Sequence, residues 1–181
     1  FAGNMGRGQA LDSVLLAARQ VADRMPLVQF VFVGGGIEVP KLQEMARNMR
    51  LANVQFLGHR PASEMGSLLR RADVLLVHLK REPLFRITIP SKTQAYLAAG
   101  RPILIAVEGE AAKMVERAGA GLACAPEDPD AIAAGIGRLF AMGASERALM
   151  GARGRDYYNK FLSEAVGVER FERVLAQAAA D

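Results

Sequence analysis

The chain has 181 residues, 51% of them apolar and 23% charged, the balance of one globular domain long enough to bury its own core. Its net charge of +4 is dispersed over the chain. Without a dense basic run or interleaved aromatics, nucleic acid is disfavoured, and an anionic small molecule or an anionic membrane surface fits better. One cysteine and two histidines leave no internal disulfide and no zinc pattern, and no apolar run reaches the roughly 18 residues of a membrane span.

The chain opens on Phe1-Ala2-Gly3-Asn4 without Met, reading like the end of a first strand, so a piece cut at a domain boundary is expected. No signal peptide is expected within the chain itself. A glycine-rich turn, Met5 to Gln9, leads into a helix marked by Leu11, Val14, Leu15, Ala18 and Ala22 and ended by Pro26. Val28–Val33 is nearly continuously apolar, as in a strand covered on both faces, and Gly34-Gly35-Gly36 closes it. A helix from about Pro40 to Met49 follows. Next come a third strand at Asn53–Gly58, a helix started by Pro61 and Ser63, and a fourth strand at Asp73–His78. The segment from Leu79 to Ile89 reads as a loop, and Pro90-Ser91 starts a helix with Ser91 as N-cap. A fifth strand at Pro102–Val107, a helix around Ala111–Arg117 and a weak sixth strand at Gly121–Ala125 follow. Cys124, among small residues there, reads as a buried, inert thiol. Pro126–Asp130 caps a helix over Ala131–Phe140, helices fill Ser145–Phe161 and Ser163–Ala178, and the Ala-rich tail Ala176–Ala180 is a fraying end. Strands alternating with helices imply right-handed βαβ units. The expectation is one α/β domain over residues 1–181: a Rossmann-like, doubly wound parallel sheet of about six strands with helices on both faces.

Ligands of such sheets sit beyond the carboxyl ends of the strands. Two segments land there. The first is Gly3-Asn4-Met5-Gly6-Arg7-Gly8-Gln9, where glycines let backbone approach an anion and Arg7 adds charge. Its spacing is neither the dinucleotide fingerprint nor a P-loop, and a plain tight turn competes. The second runs from Lys80 through Arg81 and Arg86 to Ser91-Lys92-Thr93-Gln94. A phosphate at this helix start would meet free N–H groups, with Lys92 reaching its oxygens. A solvated basic loop is the plainer reading, but Leu84, Phe85, Ile87 and Ile89 make it unusually apolar. His59 after the third strand and His78 at the end of the fourth each read as structural or ligand-facing. Glu108 and Glu110 are either ligand-orienting or a solvated helix start. No Ser/His/Asp order and no paired carboxylates point to hydrolytic chemistry.

The ordered set Asn53-Val54-x-Phe56-Leu57-Gly58, Ala72-Asp73-Val74-Leu75-Leu76-Val77, Pro90-Ser91-Lys92-x3-Tyr96-Leu97-Ala98-Ala99-Gly100-x-Pro102-Ile103 and Ala120-Gly121-x4-Pro126-Glu127-Asp128-Pro129 carries a resemblance. It resembles the carboxyl-terminal half of retaining glycosyltransferases of the GT-B fold, of the group 1 or family 4 type, from Gly3 to about Tyr158. In particular it is similar to bacterial transferases of L-fucosamine-type and other N-acetylated sugars in O-antigen and capsule assembly, which carry the same Pro-Ser-Lys-Thr-Gln-Ala-Tyr run. The resemblance implies a cytoplasmic domain, or one peripheral to the cytoplasmic face of the inner membrane. This half would bind a nucleotide-sugar donor, here a UDP-sugar, without a metal or other cofactor. An amino-terminal domain outside this chain would bind the acceptor, a lipid-linked saccharide.

Position by position, the resemblance makes Gly3, Asn4, Gly6 and Arg7 the diphosphate turn. It sets the backbone at His59-Arg60 against uracil, and Ser91, Lys92 and Thr93 against the phosphates. Lys92 and Arg7 become the catalytic cations, Lys80 adds charge, and Gln94 is a candidate for the ribose. The sequence departs from the family in two places. A Glu pair eight positions apart is replaced by Ile87 and Ala95, and cations of the first turn by Asn4 and Gln9. A UDP-sugar 2-epimerase, a non-catalytic nucleotide-binding module and a dinucleotide-binding oxidoreductase domain are the alternative readings.

Overall fold

The computed structural model describes residues 1–179; Ala180, in the expected fraying tail, lies outside the described residues. Five parallel strands alternate with helices: β1 (Phe30–Val33), β2 (Val54–Leu57), β3 (Leu75–His78), β4 (Ile103–Ala106) and β5 (Gly121–Ala123). The helices are α1 (Leu11–Ala22), α2 (Val39–Asn48), α3 (Ala62–Arg71), α4 (Pro83–Ile87), α5 (Ser91–Ala99), α6 (Glu110–Arg117), α7 (Pro129–Ala141), α8 (Ala144–Phe161) and α9 (Glu164–Ala178). The doubly wound α/β architecture is the expected one.

The six-strand expectation needs one correction. The strands form two sheets, β1–β2 and β3–β4–β5, and the amino-terminal stub contributes only a single bridge, Ala2 to Val33. The outward N–H of Ala2 donates to the Tyr96 hydroxyl at 2.8 Å, and that hydroxyl donates to the Ala2 carbonyl at 3.2 Å. A side chain of α5 thus takes the two backbone groups that a flanking strand would otherwise pair.

Two cores flank the strands, as the period of two requires. Leu75, Val77, Ile103 and Ile105 point into one with Tyr96, Leu97, Met114 and Val115. Phe30, Phe32, Leu76 and Leu104 point into the other with Val14, Leu15, Ile132 and Leu139. Phe32 stacks on its register partner Phe56 with ring centroids 5.1 Å apart.

Two local expectations also change. The segment before Pro90 is not all loop: Pro83 sits in the first turn of α4, where its missing N–H costs nothing, and the Thr88 hydroxyl closes the turn on the Leu84 carbonyl at 2.7 Å. The N-cap of α5 is Pro90, not Ser91. Pro90 holds the extended geometry of a cap (φ −59°, ψ 136°), its carbonyl accepts the Thr93 N–H at 2.8 Å, and Ser91 becomes the first helical residue. At its far end α5 lies against α8 through Gly151 and Gly154, where an added Cβ would meet Gly100, Ala120 and Leu97.

Candidate functional site at the strand ends

The Gly3–Gln9 turn is held from several sides. Gly3 N–H donates to Val33 O at 2.9 Å, Met5 N–H to Gly35 O at 2.7 Å and Glu38 N–H to Met5 O at 3.1 Å. Gly34 lies against it at φ +125°, where a side chain would overlap the Gly3 carbonyl. Gln9 turns its carboxamide oxygen back to accept the Gly6 N–H at 2.8 Å. The N–H groups of Asn4, Arg7 and Gly8 make no hydrogen bond within the described residues. Such a turn has backbone donors to offer an anion.

The second segment closes on this turn. Lys92, in the first turn of α5, carries its ammonium to 3.7 Å from where a Cβ of Gly3 would stand. The same ammonium lies 3.9 Å from the centroid of the Phe1 ring. Burial lowers its pKa to about 8. The Lys80 N–H donates to Gly8 O at 2.9 Å, and Phe85 of α4 stands where a side chain at Gly8 would go. The free N–H groups of Ser91 and Lys92, with the positive end of the α5 dipole, therefore border the glycine turn.

The cations divide into spoken-for and free. Glu108 pairs with Arg81 at 3.0 Å and Arg86 at 3.8 Å, so these two are partly neutralised. Arg7 is exposed and 3.7 Å from Glu38, which also holds Lys41. Lys80 has no ion pair among the described residues and lines a cleft of about 330 Å³ with Gly6, Arg7, Asp12, Glu38 and Lys41. Glu110, half-buried at the start of α6, lies against Lys113 and Arg117, which lower its pKa through the Lys113 hydrogen bond first.

The structure brings Gly3, Asn4, Gly6, Arg7, Lys80, Ser91 and Lys92 to one edge. His59 and Arg60 are exposed beyond β2 and joined to it by the Gly34 N–H, which donates to Gly58 O at 2.9 Å. Thr93 turns its side chain inward; it is fully buried and its hydroxyl has no partner among the described residues. Gln94 is half-buried, while Ile87 and Ala95, where the family's Glu pair would stand, are exposed. Cys124 is half-buried, and burial raises its thiol to about 11, which suits an inert residue. The sequence did not reveal Phe1 under Lys92, the Glu108 fork or the Tyr96–Ala2 clamp. Each is a contact between distant segments without a local pattern.

This arrangement defines a class: a Rossmann-like domain with a glycine turn, a helix start and a half-buried cation converging at the strand ends. Residues 1–142 match the family described as glycosyl transferases group 1, and the chain belongs to it. The chain is 31% identical over 173 residues to the probable glycosyltransferase WbjE of Pseudomonas aeruginosa, covering 94% of this chain and 42% of that protein. It is 33% identical over 139 residues to the putative colanic acid biosynthesis glycosyl transferase WcaI of Escherichia coli K12, covering 75% and 33%. The chain thus spans less than half the length of these relatives. Among solved structures, sucrose-phosphate synthase from Thermosynechococcus elongatus superposes with a TM-score of 0.81 at 22% identity, over 97% of this chain and 44% of that one. The pneumococcal O-GlcNAc transferase GtfA, in complex with UDP and GlcNAc, gives 0.81 at 18%, over 99% and 35%. These likenesses establish the GT-B-type fold.

Proposed function

We propose that the chain is the donor-binding half of a retaining glycosyltransferase that takes a UDP-sugar and glycosylates a lipid-linked saccharide in cell-surface polysaccharide assembly. The observation that carries it is the meeting of the Lys92 ammonium and the α5 N-terminus with Gly3. In glycosyl transfer the charge that grows is on the β-phosphate of the leaving nucleotide. Cations and fixed N–H groups aimed there stabilise the transition state more than the ground state. In this scheme Lys92 and Arg7 supply the charge with no metal ion, and Lys80 adds to the field. The turn at Gly3, Asn4 and Gly6 and the N–H groups at Ser91 hold the diphosphate. Backbone at His59-Arg60 meets uracil and Gln94 the ribose. For Thr93 the inward side chain favours a packing role.

GtfA binding UDP supports the donor class, and the name of WcaI supports the polysaccharide setting. The acceptor would be held by an amino-terminal domain of the same enzyme, in the cytoplasm. The exposed Leu84, Ile87 and Ile89 on the site's rim, with the net charge of +4, favour contact with the anionic face of the inner membrane. Calorimetry with UDP, UMP and NAD tests the reading. UDP is expected to bind at least tenfold more tightly than UMP, about 1.4 kcal/mol. NAD binding, or no UDP binding by a folded sample, overturns it.

A further inference from the structure

His78 ends β3 with its side chain fully buried, yet both ring nitrogens are engaged. Nε2 accepts the backbone N–H of Glu127 at 3.1 Å, so its lone pair is in use and the proton sits on Nδ1. Nδ1–H then donates to the Gln9 carbonyl at 2.7 Å. One imidazole thus joins the glycine turn to the loop after β5. Glu127 itself has φ +55°, a strained value for a residue with a side chain. Its carboxylate accepts the Arg81 N–H at 2.6 Å, next to Lys80, whose N–H is bound by Gly8. The three segments close a ring of bonds behind the face that the diphosphate would use.

We propose that His78 is a positioning residue: its neutral Nδ1–H form fixes the Gln9 carbonyl, and with it the Gly6–Arg7 backbone, in the conformation that receives the donor diphosphate. The inference rests on the donor-site reading above. A structural histidine could be replaced by any group that fills the space. A positioning one cannot, because only the Nδ1–H tautomer satisfies an acceptor on one side and a donor on the other. Protonation adds a hydrogen at Nε2 pointing at the Glu127 N–H, and the bond to the β5 loop is lost. Burial pushes the imidazole pKa down, opposed by the Gln9 carbonyl, Glu127 and Asp12 and assisted by Lys92, so the neutral form holds at neutral pH.

The test is binding of UDP and of uridine to the chain from about pH 8 down through the protonation of His78, followed by ¹⁵N-imidazole NMR on the parent, for the parent and for His78→Asn. In the parent, the UDP-over-uridine preference should drop about fivefold or more as His78 protonates, and the spectrum should show the Nδ1–H tautomer above that point. In His78→Asn the preference should be lower at neutral pH and lack that step, with uridine affinity unchanged. Protonation of UDP itself occurs with both proteins, so the difference between them is the readout. Identical pH profiles, or an Nε2–H tautomer in the parent, overturn the proposal while leaving the donor site standing. A folded parent that binds no UDP removes the donor reading and this proposal with it. Should His78→Asn not fold, the parent decides: an Nε2–H tautomer in the imidazole spectrum at neutral pH overturns the assignment, and an Nδ1–H tautomer supports it.

Discussion

The Lys92 ammonium lies 3.9 Å from the centroid of the Phe1 ring. A cation over an aromatic face is attracted by the ring quadrupole, but the ring cannot replace the water that burial removes. The pKa of about 8 records that imbalance. Lys92 is therefore held charged at neutral pH in a setting that disfavours the charge until an anion arrives.

Replacing Lys92 with Met should separate stability from binding. A lysine whose folded pKa lies below its unfolded value binds its proton less well when folded, so its burial costs stability at neutral pH. The cost is relieved as pH rises from about 8 towards the ordinary lysine value. Lys92→Met should raise the stability of the unliganded domain by about 1 kcal/mol at pH 7 and flatten this pH dependence. It should also weaken UDP binding by about 1–3 kcal/mol, the range for a lost charge-assisted bond. Thermal melts with and without UDP measure both, and a variant less stable than the parent with unchanged UDP affinity would show Lys92 to be a packing residue.

In the parent itself, UDP affinity should fall as pH rises through about 8, because the free protein loses the Lys92 proton there. Lys92→Arg should move that fall out of range, since a guanidinium keeps its charge. Calorimetric titration at pH 7 and pH 9 decides it; equal affinities at both would exclude Lys92 from the phosphate site.

Gly34 and Gly35 are neighbours with opposite tolerances. At Gly34, φ is +125° and a Cβ would overlap the Gly3 carbonyl, whereas at Gly35 a Cβ has nothing within 4 Å. Gly34→Ala should destabilise by about 2–4 kcal/mol and displace the first turn, while Gly35→Ala should stay within about 0.5 kcal/mol. Chemical denaturation of the two variants gives the comparison, and similar losses in both would mean the turn is softer than its contacts imply.

The order of strands and helices was legible because apolar periodicity and Pro/Gly punctuation are local properties of the chain. The Pro90-Ser91-Lys92 helix start and the glycine turn were legible for the same reason. The break between sheets was not, because it depends on Tyr96 reaching a backbone 94 residues away. The loop cations illustrate the same limit. Lys80, Arg81 and Arg86 look alike in sequence, yet only the fold reveals that Glu108 holds two of them and that Lys80 has no carboxylate among the described residues. α4 escaped notice because five residues between Pro83 and Ile87 are too few for periodicity to register.

Arg155 caps the end of α5 opposite the proposed phosphate site. Its guanidinium donates to the Ala99 carbonyl at 2.8 Å and the Ala98 carbonyl at 3.3 Å, where free carbonyls and the negative dipole end favour a cation. Arg155→Ala should cost about 1 kcal/mol of stability. Because the start of α5 is fixed by the Thr93 N–H on the Pro90 carbonyl and its middle by the Tyr96 hydroxyl on Ala2, UDP affinity should change less than twofold, about 0.4 kcal/mol. A large affinity loss without a stability loss would mean that the helix moves as a lever.

The rim of the site exposes Leu84 by 64% and Ile87 by 75%, on a helix of only five residues whose Phe85 is anchored on the glycine turn. Solvent gains nothing from this display, and each side chain would recover about 1–2 kcal/mol on entering an apolar phase. Arg81 and Arg86 lie alongside, only half-neutralised by Glu108, so anionic headgroups would add attraction that salt weakens. The chain should therefore sediment with vesicles containing anionic lipid at low salt and less so with neutral ones. Leu84→Ser with Ile87→Ser should reduce the bound fraction severalfold while leaving UDP affinity unchanged, because both side chains stand mostly in solvent. Equal sedimentation of parent and double variant would show that this rim makes no membrane contact.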